Sequence, residues 1–209
     1  SAAKLIDTND GHIVWSDKYA ASADEVHNTV DDIVLRIAGT IGSHIARKEE
    51  SRARSKRASR ATITDLIWRG RWHMNRLTRS DSAEAERYFN RVLAMEPDNA
   101  AALIQLCYLR WIGTWAGRES KESIEATADL AYKAMSASDS DPRCHFLVGA
   151  SCILLHEIDE AIVHLEKAIE LNPSLAQAFA QLGSCHMLAG RPQEAIPLLE
   201  LSLRLNPQD

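Results

Sequence analysis

Residues 142–209 carry one pattern written twice, 34 residues apart, and this repetition limits the fold more than any other feature. Gly149 recurs as Gly183, Glu160-Ala161-Ile162 as Glu194-Ala195-Ile196, Leu165 as Leu199, and Leu171-Asn172-Pro173 as Leu205-Asn206-Pro207. A fixed period of this size marks a stack of supersecondary units, none of which buries its apolar face alone. Cys144, Leu147 and Val148, then Ile158, Ala161, Ile162 and Leu165, recur at spacings of three and four, the period of a helix with one apolar face. Each unit is therefore expected to be two helices. Asn-Pro ends the second one, because the residue before proline is pushed out of the α region. Gly190 with Pro192 provides a turn and a favourable first helical position.

The unit resembles the tetratricopeptide repeat, a helix-turn-helix with small residues where its two helices touch. Gly149, Ala161 and Ala168 match those positions, as do Gly183 and Ala195, and Pro173 and Pro207 match the proline after the second helix. Two residues depart from the pattern: His156 stands where the next unit has Gly190, and Ser202 replaces an alanine. A divergent first unit, 61–99, has Gly70, Ala85, Phe89 and Pro97 at matching places, with Asp81 or Ser82 as the expected cap of its second helix. The second unit, 100–141, is longer, and its extra residues fall between Gly113 and Glu122. Asp141-Pro142 caps the third unit, 142–175, and 176–209 is the fourth. The expected fold is all-α over 61–209, a right-handed superhelix of about four repeats. The last helix is more apolar than a terminal cap should be, through Leu198, Leu199, Leu201, Leu203 and Leu205. Either further repeats or another subunit is expected to cover it.

Ahead of the repeats, Asn9-Asp10-Gly11 separates Leu5-Ile6 from His12-Ile13-Val14-Trp15, a hairpin signal within 1–21. Two strands alone are marginal in water, so the hairpin is expected to be the end of a larger sheet or to pair with another copy. Ser22 to Glu25 reads as a capping box opening an amphipathic helix within 22–60. Its stripe is Val26, Val30, Ile33, Ile37, Ile41 and Ile45. Leu5-Ile6-Asp7, Gly11 to Tyr19 and Asp32-Ile33-Val34 with Ile37-Ala38 resemble the end of the TolB-like domain. That domain precedes tetratricopeptide repeats in bacterial class III adenylate/guanylate cyclases and in some winged-helix regulators.

The net charge of −5 is uneven, because 47–60 holds seven basic and two acidic residues. That run either extends the helix or forms a linker. It lacks aromatic interleaving, which argues against nucleic acid as the partner. No run approaches the roughly 18 apolar residues of a membrane helix. Cys107, Cys144, Cys152 and Cys185 fit no disulfide or zinc spacing, and four buried free thiols favour a reducing cytoplasm. No phosphate loop occurs. Cys152 and His156, one turn apart, supply two metal ligands where a site needs three or four. No catalytic set, metal or cofactor is expected in this chain.

The resemblance implies a groove lined by the first helix of each repeat. Carried over, its positions include Ile67, Arg71, Met74 and Asn75; Ile104, Tyr108 and Trp111; Arg143, Phe146, Ala150 and Ile153; and Gln177, Ser184 and Met187. Part of this set is expected to be core between repeats. An apolar groove with two arginines suits an amphipathic helix of a protein or peptide, or the chain's own N-terminal region. The functional expectation is a protein-interaction and regulatory segment of a bacterial signalling protein, with an adenylate cyclase as parent. The alternatives are the effector segment of a winged-helix transcription regulator and an oligomerisation scaffold acting as a homodimer.

Overall fold

The computed structural model describes residues 2–6, 11, 13–18, 26–55, 61–115 and 120–206. Strands β1 (Ala2–Ile6) and β2 (Ile13–Lys18) pair antiparallel, with Leu5 opposite Trp15 and an irregularity between Leu5 and Ile6. Gly11 turns the chain at φ +71°, a conformation that costs glycine nothing. The other turn residues, Asn9 and Asp10, and the Ser22–Glu25 capping box lie outside the described residues.

Helix α1 runs from Val26 to Ser55, so the basic run continues the helix at least that far; 56–60 lie outside the description. Among the described residues, eight further helices follow: α2 (Ile63–Met74), α3 (Arg79–Met95), α4 (Ala100–Trp115), α5 (Lys121–Ala137), α6 (Pro142–Leu154), α7 (Ile158–Leu171), α8 (Ala176–Leu188) and α9 (Pro192–Leu205). They pack as antiparallel pairs, α2 with α3 through α8 with α9, and each pair stacks on the next. The long turn of the second pair includes 116–119, which are not described.

Local chemistry sets the helix starts. Thr62 and Asp65 form a reciprocal capping box on α2, with Thr62 N–H donating to Asp65 at 2.9 Å. Asp141 accepts from Arg143 N–H at 2.9 Å and caps α6, with Pro142 at its first position. On α3 the cap is Thr78 rather than Asp81 or Ser82. Asp81 lies in the first turn instead, where it accepts hydrogen bonds from Thr78 Oγ1 (2.6 Å) and Arg76 Nε (3.0 Å), with His73 Nδ1 at 2.8 Å. The two departures from the repeat pattern are absorbed differently. His156 takes the left-handed backbone of Gly190, at φ +65° against +73°. Ser202 is buried and donates its hydroxyl to Ala176 O at 2.9 Å, so the extra polar atom is satisfied.

Small residues decide how closely paired helices approach. A Cβ added to Gly149 would fall 2.7 Å from Leu165 Cγ and 3.0 Å from Ala161 O. At Gly183 it would fall 2.8 Å from the Leu199 side chain, and at Gly70 2.4 Å from the Phe89 ring. One continuous core runs through α4 to α8, built on Leu103, Cys107, Ala131, Leu147, Leu165 and Leu182. A second cluster centres on Phe89 and Met74, and a terminal one on Phe179 and Leu205. All four cysteines are buried and unbridged. Burial pushes the Cys107 and Cys144 thiols up to about 12 and those of Cys152 and Cys185 up to about 11.

The apolar stripe read along α1 does not carry through to the helix end. Ile45 is exposed, and Glu50 and Ala53 are the buried residues of its last turns. The surface that receives them is α2 at Arg69 and Trp72, with Asn75 at its end, which offers donors and a ring face rather than an apolar trough. Ile41 is half-buried, and the side chains at 26, 30, 33 and 37 lie outside the description. Among the described residues, no helix is long and apolar enough to cross a membrane.

Three outcomes follow from this packing. Gly149→Ala is expected to destabilise the fold by about 1–3 kcal/mol, read by chemical denaturation, because it over-packs a tight crossing. His156→Gly is expected to stabilise by about 0.5–1 kcal/mol, the relieved strain less the added chain entropy, and a lowered melting temperature would contradict this. The hydrogen bond from Thr78, with those from His73 and Arg76, holds the Asp81 carboxyl down to about 2. The folded value is below the ordinary ~3.9, so this stabilisation is complete above about pH 4 and is lost as pH falls through about 2. Asp81→Asn should lower the melting temperature at pH 7, and the gap to the unmodified chain should close over that acid window.

Candidate functional site

First helices of the pairs face inward. Between them lies a cavity of about 250 Å³, lined by Arg71, Met74 and Asn75 of the first repeat, Ile104, Gln105 and Tyr108 of the second, Arg143, Phe146 and Leu147 of the third with Leu175 at its end, and Gln177 of the fourth. Eight of the groove positions read from the sequence thus meet at one place: Arg71, Met74, Asn75, Ile104, Tyr108, Arg143, Phe146 and Gln177. Helical spacing brings them there, since residues three and four apart share a face.

The remaining positions go elsewhere. Ile67 is half-buried against the cluster of Leu66 and Val92. Trp111, Ala150 and Ile153 are buried in the main core. Ser184 is half-buried and returns its hydroxyl to Ala180 O at 2.9 Å. Met187 is 52% exposed at the open end of the array. Gln105, Leu147 and Leu175 also line the cavity, outside the positions read from the sequence. Gln105 and Leu147 are each one residue beyond such a position, and Leu175 lies in the turn before α8. Repeat register does not predict a turn residue turning inward.

The cavity has an aromatic wall and two cations. Trp111 and Phe146 meet edge to face at 5.4 Å, and Tyr108 lies 5.5 Å from the Trp111 ring and 6.3 Å from Phe146. Phe146 is 2% exposed, so its ring is core as much as wall. Tyr108 is half-buried and lines the cavity. The Arg71 guanidinium stacks over Trp68 at 4.4 Å. Burial pulls Arg71 below its ordinary value and Arg143 repels it, while Glu50 opposes both effects. Arg143 is held above its ordinary value by hydrogen bonds to Asp141, at 2.9 Å from Nε and 2.6 Å from Nη2. Glu50 is itself buried, accepts from Asn75 Nδ2 at 3.1 Å, and is raised by burial against the pull of Arg71, Arg54 and Arg47.

A second polar cluster lies where α5, α6 and α7 meet. The Tyr132 hydroxyl donates to Glu160 at 2.5 Å and lies 3.8 Å from Cys152 Sγ. Cys152, Glu157 and Glu160 hold ligand atoms within 4.8 Å of one another. His156, the second ligand weighed from the sequence, is exposed and is not part of this group. The thiol is raised to about 11 by burial, which opposes the thiolate that a metal requires.

This geometry defines a helical-repeat scaffold with a cavity between the first helices of its repeats. Residues 153–209 match the family described as tetratricopeptide repeat, and the chain folds as a tetratricopeptide-repeat superhelix. A thermophilic TPR protein of Thermus thermophilus is similar in structure, with a TM-score of 0.62 at 17% identity over 85% of this chain and 93% of that one. Pseudomonas aeruginosa pilF follows with a TM-score of 0.56 at 20% identity, over 70% of this chain and 62% of that one. In sequence, the chain is 28% identical over 162 residues to the Rhizobium meliloti (strain 1021) protein named "Putative adenylate cyclase 3", covering 76% of this chain. It is 30% identical over 87 residues, 42% of this chain, to anaphase-promoting complex subunit 7 of Dictyostelium discoideum. The chain spans 27% and 15% of the lengths of these two relatives.

Proposed function

We propose that this chain is the protein-binding, regulatory segment of a bacterial signalling protein, and that the whole protein is an adenylate cyclase. The observation that carries the binding reading is the cavity itself: side chains from four successive repeats converge on one space of helix-binding character. Its apolar and aromatic wall suits the buried face of an amphipathic helix, and Arg71, Arg143, Gln105 and Gln177 suit the polar edge of the same helix. Occupancy would change how neighbouring domains pair, which is how a chain without chemistry of its own regulates one with chemistry. Support for the cyclase parent comes from the relative of that name, which is similar over most of this chain, and from the TolB-like pattern ahead of the repeats.

Tyr108 and Phe146 test the groove in different ways. Phe146→Ala removes a buried ring and is expected to cost about 3–5 kcal/mol of stability as well as affinity. Tyr108→Ala is the cleaner probe. It should weaken binding of amphipathic helical peptides by about tenfold or more at a smaller cost in stability than Phe146→Ala, because its ring is only half-buried. Unchanged binding by both variants would sink the assignment. The parent is tested separately, by isolating the full-length protein from its source cell and assaying conversion of labelled ATP to cyclic AMP with Mn²⁺. Cyclic AMP is the expected product, and its absence from a longer protein overturns the cyclase parent while leaving the binding reading in place.

A further inference from the structure

We infer that α1 is the resident occupant of one end of the groove, and that the groove's partner is a helix whose carboxylate takes the place of Glu50 beside Asn75 and Arg71. The inference rests on the groove reading above and adds the chemistry of the ligand to it.

Three observations meet here. Glu50 is a carboxylate left only 6% exposed, hydrogen-bonded to Asn75 and within the field of Arg71, and both of those residues line the cavity. Ala53, three residues on, is fully buried, and its carbonyl accepts a hydrogen bond from the buried Arg69 Nε at 3.0 Å. Arg54 lies over the Trp72 ring at 4.2 Å. The docking surface therefore has a carboxylate position, a position for a small residue one turn later, and a cation position beside that. A small residue lets the visiting helix come close, and Arg69 adds a hydrogen bond to its backbone carbonyl.

The arrangement reads as self-recognition because α1 is not fixed at this end alone. It also touches α9, the last helix of the array. A helix of 30 residues is about 45 Å long, enough to reach from the first repeat to the last. An occupant joined to the same chain holds an effective concentration of about millimolar, so a free helix of equal intrinsic affinity binds poorly until α1 leaves. The two arginines of the cavity set the sign of the ligand. Asp141 already pairs with Arg143, whereas the carboxylate in the field of Arg71 is that of Glu50 on α1. A partner that displaces α1 recovers this pairing only by supplying a carboxylate there; otherwise the half-buried Arg71 and the exposed Asn75 are left to water.

The test uses the full chain and a labelled peptide of residues 41–55, in its natural sequence and as Glu50→Gln. In the protein, Glu50→Lys with Ala53→Asp releases α1. The released chain is expected to bind the natural peptide about tenfold more tightly than the unmodified chain does, and about tenfold more tightly than the Glu50→Gln peptide. Arg71→Met in the released chain should abolish the preference between peptides. Equal binding of both peptides, or binding of neither, overturns the inference, and neither result alters what Tyr108→Ala says about the groove. If the double variant does not fold, hydrogen exchange of the single variants Glu50→Gln and Arg71→Met decides. Exchange across α1 should rise about tenfold with α4–α8 protection unchanged, and unchanged exchange in α1 overturns the inference.

Discussion

The close approach of the two helices in each pair is the constraint on which everything else depends. Gly149 faces Leu165 and the Ala161 carbonyl at distances that leave no room for a side chain, and Gly183 and Gly70 do the same in their own repeats. Close-packed interiors do not yield smoothly, so these contacts set the separation and crossing of the paired helices. Once each pair is fixed, stacking turns its first helix inward, and the inner surface follows without further instruction. The cavity between Arg71, Tyr108, Phe146 and Gln177 is thus a consequence of glycines that do not touch it.

Charge is distributed across that surface in a way that apolar packing alone would not produce. Arg143 is anchored by Asp141, which also caps α6, so one residue both starts the helix and orients the cation at the cavity. Arg71 lies on an indole face and shares Glu50 with Asn75, which ties the groove electrostatically to a helix outside the repeats. Among the described residues, the last turns of α1 meet the repeat stack through polar contacts around the buried Ala53, in contrast to the continuous apolar core that joins α4 to α8. Contacts of this kind exchange more readily than core packing, because water or another polar chain can replace them.

The repeat fold was legible because its signals are local and periodic. Gly149, Ala161, Leu165 and Pro173 report helix faces and ends whatever surrounds them. Where local signals left near-equal options open, tertiary contact made the choice. Thr78 rather than Asp81 caps α3, since Asp81 is drawn to His73 and Arg76 of the preceding turn. Trp111, Ala150 and Ile153 share the groove face by register yet are buried, because neighbouring repeats close over them. Ile45 extends an apolar stripe and is nevertheless exposed, because the surface that α1 meets at this end is polar.

The amino-acid sequence by itself determined the units: helices of given length, their order, their small-residue crossings and the turns between them. These depend on spacing and on residues such as Gly190 and Pro192, whose backbone preferences hold in any context. Only the tertiary structure decided which of the inward positions share a cavity, that Leu175 and Gln105 belong among them, and that Glu50 reaches Asn75. Those outcomes depend on the angle at which one pair stacks on the next. That angle is a sum over many weak packing contacts, and no single residue records it.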